Sequence, residues 1–233
     1  MLRWVGLLAL LLFWASTAFA GPDQDSVQTK LRHVSTTQRL KLNDAIDFET
    51  ATLKHSQDLV ETGVARIPYG WMDFCGRRPE ECQVSDLPAA DIKLTLNTWR
   101  TLDRINRQVN EEIEPVSNLD HWGTLADHWD YPVDGKGDCK IYALYKRKLL
   151  IDAGFPRQAL LMTIVWDLDG EGHTILTVKT DKGEFILDNL VNTIRAWDET
   201  GYAFVKRQSQ ENPNVWMSLA PPHDTMTHLA QSN

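Results

Sequence analysis

Basic residues are in short supply in this sequence, and no run of them is longer than three. Lys and Arg total 24 against 32 Asp and Glu, which leaves a formal net charge of −8 at pH 7. Nucleic-acid binding draws on clusters of Lys and Arg, so this balance argues against a nucleic-acid partner. Repeats and low-complexity segments are also absent, while 42% of the residues are hydrophobic. This composition indicates a packed core rather than a disordered chain.

Long apolar runs are absent after the first 20 residues, and a transmembrane helix needs about 20 apolar residues. The N-terminus itself has Arg3, then an apolar run at 5–14, then Ala18 and Ala20 at a small-x-small cleavage site. This pattern is typical of a cleaved signal peptide, with an uncleaved anchor as the alternative. We therefore predict a signal peptide at 1–20 and a periplasmic chain without stable membrane insertion after cleavage.

Cysteine is scarce, and the odd total of 3 matters in an exported protein. Cys75 and Cys82 enclose six residues, among which Gly76 and Pro79 allow the loop to turn back. An oxidising compartment favours a disulfide; a zinc pair is the alternative, although no further Cys or His stands at ligand spacing. Cys139 is then a free thiol, for which we favour a functional role over a buried, inert one.

Apolar periodicity divides the chain into a helical first half and a strand-rich second half. Residues 87–91 resemble a helix entry, and spacings of three and four over 92–113 predict an amphipathic helix that Pro115 ends. A second helix is predicted from Cys139 to Ala153. Turn residues and apolar stretches then predict strands at 159–166, 173–180 and 184–188, with weaker ones at 194–197 and 202–206. This order predicts an α+β fold with N-terminal helices packed on an antiparallel sheet.

A cysteine, a histidine and an aspartate stand at positions that suggest a cysteine hydrolase. Cys139 follows a Gly-rich turn and begins the second helix, whose N-terminus lowers the pKa of a thiol. His173 begins one predicted strand and Asp188 ends the next, so an antiparallel meander places them together at one edge. A thiolate needs an imidazole beside it, and the imidazole needs an acceptor that fixes its tautomer. We therefore predict a triad of Cys139, His173 and Asp188.

Each member of this triad also has a plainer interpretation. His173 fits an ordinary edge-strand residue, and Asp188 fits a turn residue. Two competing histidines, His121 and His128, lie in a Trp-rich loop at 118–137 that is suited to lining a pocket.

Several long segments, in order, resemble the bacterial transglutaminase-like cysteine proteinase (BTLCP) family, which includes the LapG-like periplasmic proteases. The matching segments are YPVDGKGDC at 131–139, GEGH at 170–173, ILDN at 186–189 and GYAFVKRQS at 201–209. The loop from Cys75 to Cys82 resembles a branch with paired cysteines there. The resemblance implies a papain-like, transglutaminase-like fold, with catalytic roles for Cys139, His173 and Asp188.

The resemblance also implies an activity and partners. It implies an endopeptidase that cleaves a surface adhesin or another exported protein in biofilm control, and an inner-membrane cyclic-di-GMP receptor that sequesters it. The Cys139 N–H would be one oxyanion donor, and Trp129 is named as a second. A transglutaminase-like acyltransferase or amidase, and a catalytically degenerate member that binds a peptide or receptor, are the alternatives.

These inferences together predict how the chain is organised. The segments are a signal peptide at 1–20, an N-terminal arm or helix at 21–64, a transglutaminase-like cysteine proteinase domain at 65–220 and a disordered tail at 221–233.

The family pattern breaks next to the cysteine. Where the family usually has Gly-Asp-Cys-Glu-Asp-Tyr, with acidic residues that take part in calcium binding, this chain has GDCKIY at 137–142. Asp138 matches as a metal ligand, but Lys140 places an ammonium where a carboxylate is expected and Ile141 removes another. Calcium needs several oxygen ligands and is repelled by an ammonium. The sequence therefore argues against the calcium requirement that the resemblance implies.

Overall fold

The computed structural model describes residues 36–53 and 58–220. The predicted signal peptide at 1–20 and the predicted disordered tail at 221–233 lie outside the described residues. The chain divides into two units, Met1–Leu42 and Asn43–Asn233. The described part of the first unit is the start of helix α1, Thr36–Leu53. The second unit contains the sheet and the candidate site.

A seven-stranded sheet organises the second unit. Its strands are β1 (Glu61–Ala65), β4 (Leu160–Trp166), β5 (Gly172–Thr180), β6 (Gly183–Leu187), β7 (Arg195–Ala196), β8 (Ala203–Gln208) and β9 (Trp216–Leu219). They are arranged in the order β1-β9-β8-β4-β5-β6-β7, and every neighbouring pair is antiparallel. Two further short strands, β2 (Glu114–Pro115) and β3 (Lys136–Gly137), pair in parallel. The predicted α+β class is confirmed.

Two of the seven strands have no counterpart in the sequence prediction. Strand β1 crosses the predicted boundary between the arm at 21–64 and the domain at 65–220, and it pairs with β9 near the C-terminal end of that domain. Four of the five residues of β1 are exposed. Because an exposed edge strand buries few side chains, its sequence carries little of the apolar alternation that marks a strand.

The helices precede most of the sheet in the chain. They are α2 (Tyr69–Arg77), α3 (Pro79–Cys82), α4 (Leu96–Glu112), α5 (Asn118–Trp122) and α6 (Cys139–Asp152). Helix α6 packs on β5 and β4 and also contacts α4. The helix predicted from Cys139 therefore lies directly against the strand that carries His173.

Helix α4 begins later than its apolar pattern predicts. The residues expected to open it are instead part of the sheet edge: Ile92 N–H donates to Lys179 O at 3.0 Å, and Ile92 forms an isolated bridge with Thr180. The helix starts after Thr95, whose hydroxyl accepts from the Thr98 N–H in a capping box. The predicted entry at 87–91 is therefore wrong, because the sheet uses the backbone groups around Ile92 that a helix would need.

A core fills the space between the helices and one face of the sheet. The buried members from α4 include Trp99, Leu102, Ile105 and Val109, and they meet sheet residues such as Phe185. Trp99 and Phe185 pack edge to face with ring centroids 5.4 Å apart. Burial of such side chains stabilises the fold by about 1.5–3 kcal/mol each, and it fixes α4 and α6 on the sheet.

The predicted disulfide between Cys75 and Cys82 is present, with Cα atoms 5.5 Å apart, and Cys139 is a free, half-buried cysteine. The bridge joins the end of α2 to α3. In the turn between them, Arg77 and Arg78 donate to the two carboxylate oxygens of Asp130 at 2.7 Å each. The disulfide segment therefore holds the Trp-rich loop in place.

Replacing Cys75 and Cys82 together with Ser is expected to lower the free energy of unfolding by about 2 kcal/mol, because the unfolded chain loses a closed loop. Urea denaturation under non-reducing conditions measures this. Peptide mapping of the unreduced protein is expected to recover Cys75 joined to Cys82. Two alkylated cysteines in that peptide would contradict the pairing.

Candidate active site

Cys139 lies at the N-terminus of helix α6, behind a tight turn. Gly135 in that turn has φ 77°, in the left-handed region that favours glycine. At Gly137 the backbone passes so close to the helix that an added Cβ would lie 2.5 Å from Cγ2 of Ile141. The Cys139 thiol therefore sits at the N-terminus of a 14-residue helix, on the side of the sheet that carries His173.

His173 and Asp188 lie together at the edge of the sheet, as the strand order predicts. His173 is near the start of β5, and Asp188 directly follows β6, its antiparallel neighbour. His173 Nε2 lies 2.9 Å from Asp188 Oδ1. Both side chains are buried, with 5% and 1% of their surface exposed.

The electrostatics of this pair favour an imidazolium. Burial alone would lower the pKa of His173, but hydrogen bonds to the Asp188 carboxylate and to Cys139 outweigh it and raise the pKa to about 9. Burial likewise opposes ionisation of Asp188, yet hydrogen bonds from His173, Tyr202 and the Leu190 N–H leave its pKa lowered. The three side chains predicted as a triad thus lie together, with His173 affected by both Asp188 and Cys139.

Asp188 is held by more groups than the sequence indicates. Tyr202 donates its hydroxyl to Asp188 Oδ2 at 2.6 Å, and the Leu190 N–H donates to Oδ1 at 3.0 Å. Tyr202 falls inside the 201–209 segment that resembles the family, but no role was assigned to it there. The position of Tyr202 in the chain, just before β8, does not predict a contact with Asp188, because that contact depends on the order of the strands in the sheet.

The competing histidines are paired elsewhere. His121 Nε2 lies 2.9 Å from Asp134 Oδ2, and His128 Nδ1 lies 3.7 Å from Asp73 Oδ2. Trp129, named as a second oxyanion donor, is buried and donates its indole N–H to Asp127 Oδ2 at 2.9 Å. That N–H is therefore already engaged.

Next to Cys139, Lys140 occupies a position at which the family resemblance implies an acidic metal ligand. Its ammonium contacts Asp138 Oδ2 and lies 3.4 Å from Asp127 Oδ1. The other Asp138 oxygen, Oδ1, is buried and has no hydrogen-bond partner among the described residues. One unpartnered oxygen beside an ammonium does not match the six to eight oxygen ligands of calcium.

Within 36–53 and 58–220, no group of three or more His, Cys, Asp or Glu side chains is arranged to hold a metal ion. Over the same residues, no helix is both long and apolar enough to cross a membrane.

A cysteine at a helix N-terminus, packed against an antiparallel sheet that bears a His–Asp pair, defines the class of papain-like and transglutaminase-like cysteine peptidases. The family model of the bacterial transglutaminase-like cysteine proteinases (BTLCP) matches residues 61–224. The chain belongs to this family and is a cysteine peptidase.

Comparison with solved structures finds LapG of Legionella pneumophila. The calcium-bound form is 21% identical, with 57% of this chain and 81% of that chain covered and a TM-score of 0.45. The EGTA-treated form is 22% identical, with 55% and 73% covered and a TM-score of 0.45. A search of curated proteins finds no match.

Replacing Tyr202 with Phe is expected to destabilise the protein by about 1.5–3 kcal/mol at neutral pH, because the buried Asp188 carboxylate loses a donor. Asp188 has a lowered pKa, so its ionised form contributes stability that is present above the unfolded pKa of about 4. That contribution is lost as the pH falls through the folded pKa. The difference between Tyr202→Phe and wild type should therefore shrink at low pH.

Urea denaturation at pH 7 and pH 3 measures both quantities. Tyr142→Phe serves as the matched control: the Tyr142 hydroxyl donates to the Ile113 carbonyl, which does not titrate, so the loss of stability in this variant should be equal at both pH values. An equal loss for Tyr202→Phe at both pH values would contradict the assigned role of the hydroxyl.

Proposed function

We propose that this chain is an exported cysteine endopeptidase whose catalytic residues are Cys139, His173 and Asp188. The observation that carries the proposal is the buried 2.9 Å contact between His173 and Asp188, in a group that also includes Cys139 at a helix N-terminus. An imidazolium with a pKa raised to about 9 keeps its proton at neutral pH, so it stabilises a thiolate and has a proton to donate.

The chemistry follows from these positions. The Cys139 thiolate attacks the carbonyl carbon of a peptide bond, and the oxygen takes up the negative charge. The first N–H of helix α6 has no acceptor within the helix and is available to that oxygen. When the tetrahedral intermediate collapses, the C–N bond breaks and His173 gives its proton to the leaving amine. Neutral His173 then removes a proton from water, which attacks the thioester and releases the acid and the thiolate.

Asp188 supports these reaction steps without itself gaining a proton. Its carboxylate accepts the His173 Nε2–H, which leaves the other ring nitrogen for the thiol and the leaving group. Its own lowered pKa keeps it ionised while the imidazole gains and loses a proton.

The proposed setting is the periplasm. The signal-peptide pattern at 1–20 and the disulfide between Cys75 and Cys82 support an oxidising, exported location. Within the family, the resemblance supports a surface adhesin or other exported protein as substrate, in biofilm control, and a cyclic-di-GMP receptor of the inner membrane as regulator.

Replacing Cys139 with Ala is expected to abolish cleavage of a purified N-terminal fragment of a large repeat adhesin from the same organism, because the nucleophile is removed. Gel analysis and mass spectrometry of the fragments measure it. His121→Ala is the matched control, because His121 pairs with Asp134 instead, and it should leave cleavage within a few-fold of wild type. Cleavage that persists in Cys139→Ala would rule out the triad. Transfer of an added amine to the substrate in place of hydrolysis would favour the acyltransferase.

We further propose that this peptidase does not require calcium. LapG of Legionella pneumophila is described in a calcium-bound form, but here the Lys140 ammonium already pairs with both Asp138 and Asp127. Burial of Lys140 works against its charge, yet the neighbouring carboxylates outweigh it and leave its pKa raised. The positive charge of Lys140 therefore stabilises these carboxylates in place of a bound cation.

EGTA is expected to leave the cleavage rate and the melting temperature of the wild-type protein unchanged. In Lys140→Gln the two carboxylates lose their counter-charge, so stability should fall, and added calcium should restore part of it. Thermal unfolding with calcium or EGTA measures this, with Lys148→Gln as the control. A wild-type protein that EGTA inactivates and calcium restores would overturn the proposal.

A further inference from the structure

Helix α6 carries a buried lysine, Lys146, to which the proposed chemistry gives no role. Lys146 is fully buried, with 0% of its surface exposed. It lies seven positions after Cys139, two helical turns along the same face of α6. Its ammonium nitrogen donates to the main-chain carbonyl of Asp188 at 2.9 Å. One helix therefore bears both the nucleophile and a group that holds the residue at the other end of the triad.

This contact is not the only one to the same carbonyl. Asn110 of helix α4 donates its Nδ2 to Asp188 O at 2.9 Å and also to Asn192 Oδ1 at 2.8 Å. Asp188 follows the end of β6, where sheet pairing no longer fixes the main chain. Two side chains from two helices thus fix the direction of the peptide group from which the carboxylate extends.

Stability by itself gives no reason for a lysine here. Burial lowers the pKa of Lys146 to about 7, with the Asp188 charge opposing the shift. No salt bridge of Lys146 to a carboxylate is formed within the described residues, so desolvation is not offset by an ion pair. An apolar residue of similar volume would pack in the same space at lower cost. Buried groups with perturbed titration tend to lie at functional sites.

We propose that Lys146 is a positioning residue that acts with Asn110 to fix the main chain of Asp188, so that its carboxylate faces His173. This inference rests on the proposed function, and it assigns a role that neither residue type nor spacing reveals. Lys146 touches no substrate atom and transfers no proton. Its effect reaches the reaction through the orientation of Asp188 and, from there, through the imidazolium.

The effect is measurable without any protein substrate. Iodoacetate alkylates the Cys139 thiolate, and its own carboxylate is attracted by the imidazolium, so the rate should fall as His173 loses its proton near pH 9. The charged or titratable groups around His173 are Cys139 and Lys146 from α6, Asp188 after β6, Tyr202 before β8, and Arg195 of β7 beside the Tyr202 ring. Near that pH Lys146 is already neutral, so a substitution there removes its hydrogen bond and not a charge.

In Lys146→Met the alkaline fall in the alkylation rate is expected to move to lower pH by about one unit, because a misdirected Asp188 holds the imidazolium less well. With a cleavable substrate, kcat should fall about tenfold while KM stays unchanged. Lys148→Met is the matched control: Lys148 is on the exposed side of the same helix, where it pairs with Asp152, and its profile should equal that of wild type.

Asn110→Ala keeps the test decisive if Lys146→Met does not fold. It removes the other hydrogen bond to the same carbonyl at a half-buried position, and a smaller shift in the same direction supports the proposal. If Lys146→Met folds and the alkaline fall in its alkylation rate does not move, the proposal is overturned, even where stability has dropped. If Lys146→Met does not fold, an unmoved alkaline fall in Asn110→Ala overturns the proposal. A wild-type protein that shows only a simple thiol titration would instead refute the Cys139–His173 pair, which separates failure of the proposed function from failure of this inference.

Discussion

The packing of helix α6 across strands β4 and β5 is the interaction on which the candidate site depends. Apolar residues of the helix, among them Ala143, Leu144 and Leu150, share a core with Leu176 and Val178 of β5. Because protein interiors are close-packed, this contact fixes the position of the helix along the strand. The first residue of α6 is Cys139, and the start of β5 is His173. A shift of the helix would therefore separate the thiol from the imidazole.

Charge buried around this contact is compensated group by group. Lys140 is neutralised by Asp138 and Asp127 at the start of the helix. On the sheet, Glu184 is fully buried between Lys179 and Arg207. Buried ions are costly when either partner is missing, so such clusters make the local arrangement specific more than they add stability. Lys146 and Arg147 differ from this pattern, because each donates to a main-chain carbonyl, Lys146 to that of Asp188 and Arg147 to that of Leu160.

The Trp-rich loop at 118–137 is held in place by the segment that contains the disulfide. Arg77 and Arg78 hold Asp130 and the carbonyl of Trp129. Trp129 in turn packs edge to face on Trp71 and Trp216. The same loop supplies Asp127, which contacts both the Trp129 indole and Lys140. The disulfide thus supports the surroundings of Cys139, although it joins two other helices.

Local pattern was enough to locate much of this architecture. The helix from Cys139, the three main strands and the turns between them depend on residues close in the chain, since periodicity, glycine turns and a helix start are local properties. That is also why Cys139, His173 and Asp188 stood out: each marks the beginning or end of an element. The family followed from long motifs in the same order, and the match over 61–224 confirms it.

Contacts between distant parts of the chain were beyond the sequence and were decided by the tertiary structure. The pairing of β1 with β9 joins the two ends of the domain, and an exposed edge strand leaves little local signal. Helix α4 starts later than predicted because the backbone of Ile92 pairs with the edge of the sheet. Tyr202, Asn110 and Lys146 reach Asp188 from three separate elements. The sequence by itself thus predicted which residues form the candidate triad, while packing determined what holds them, because positioning depends on neighbours in space rather than along the chain.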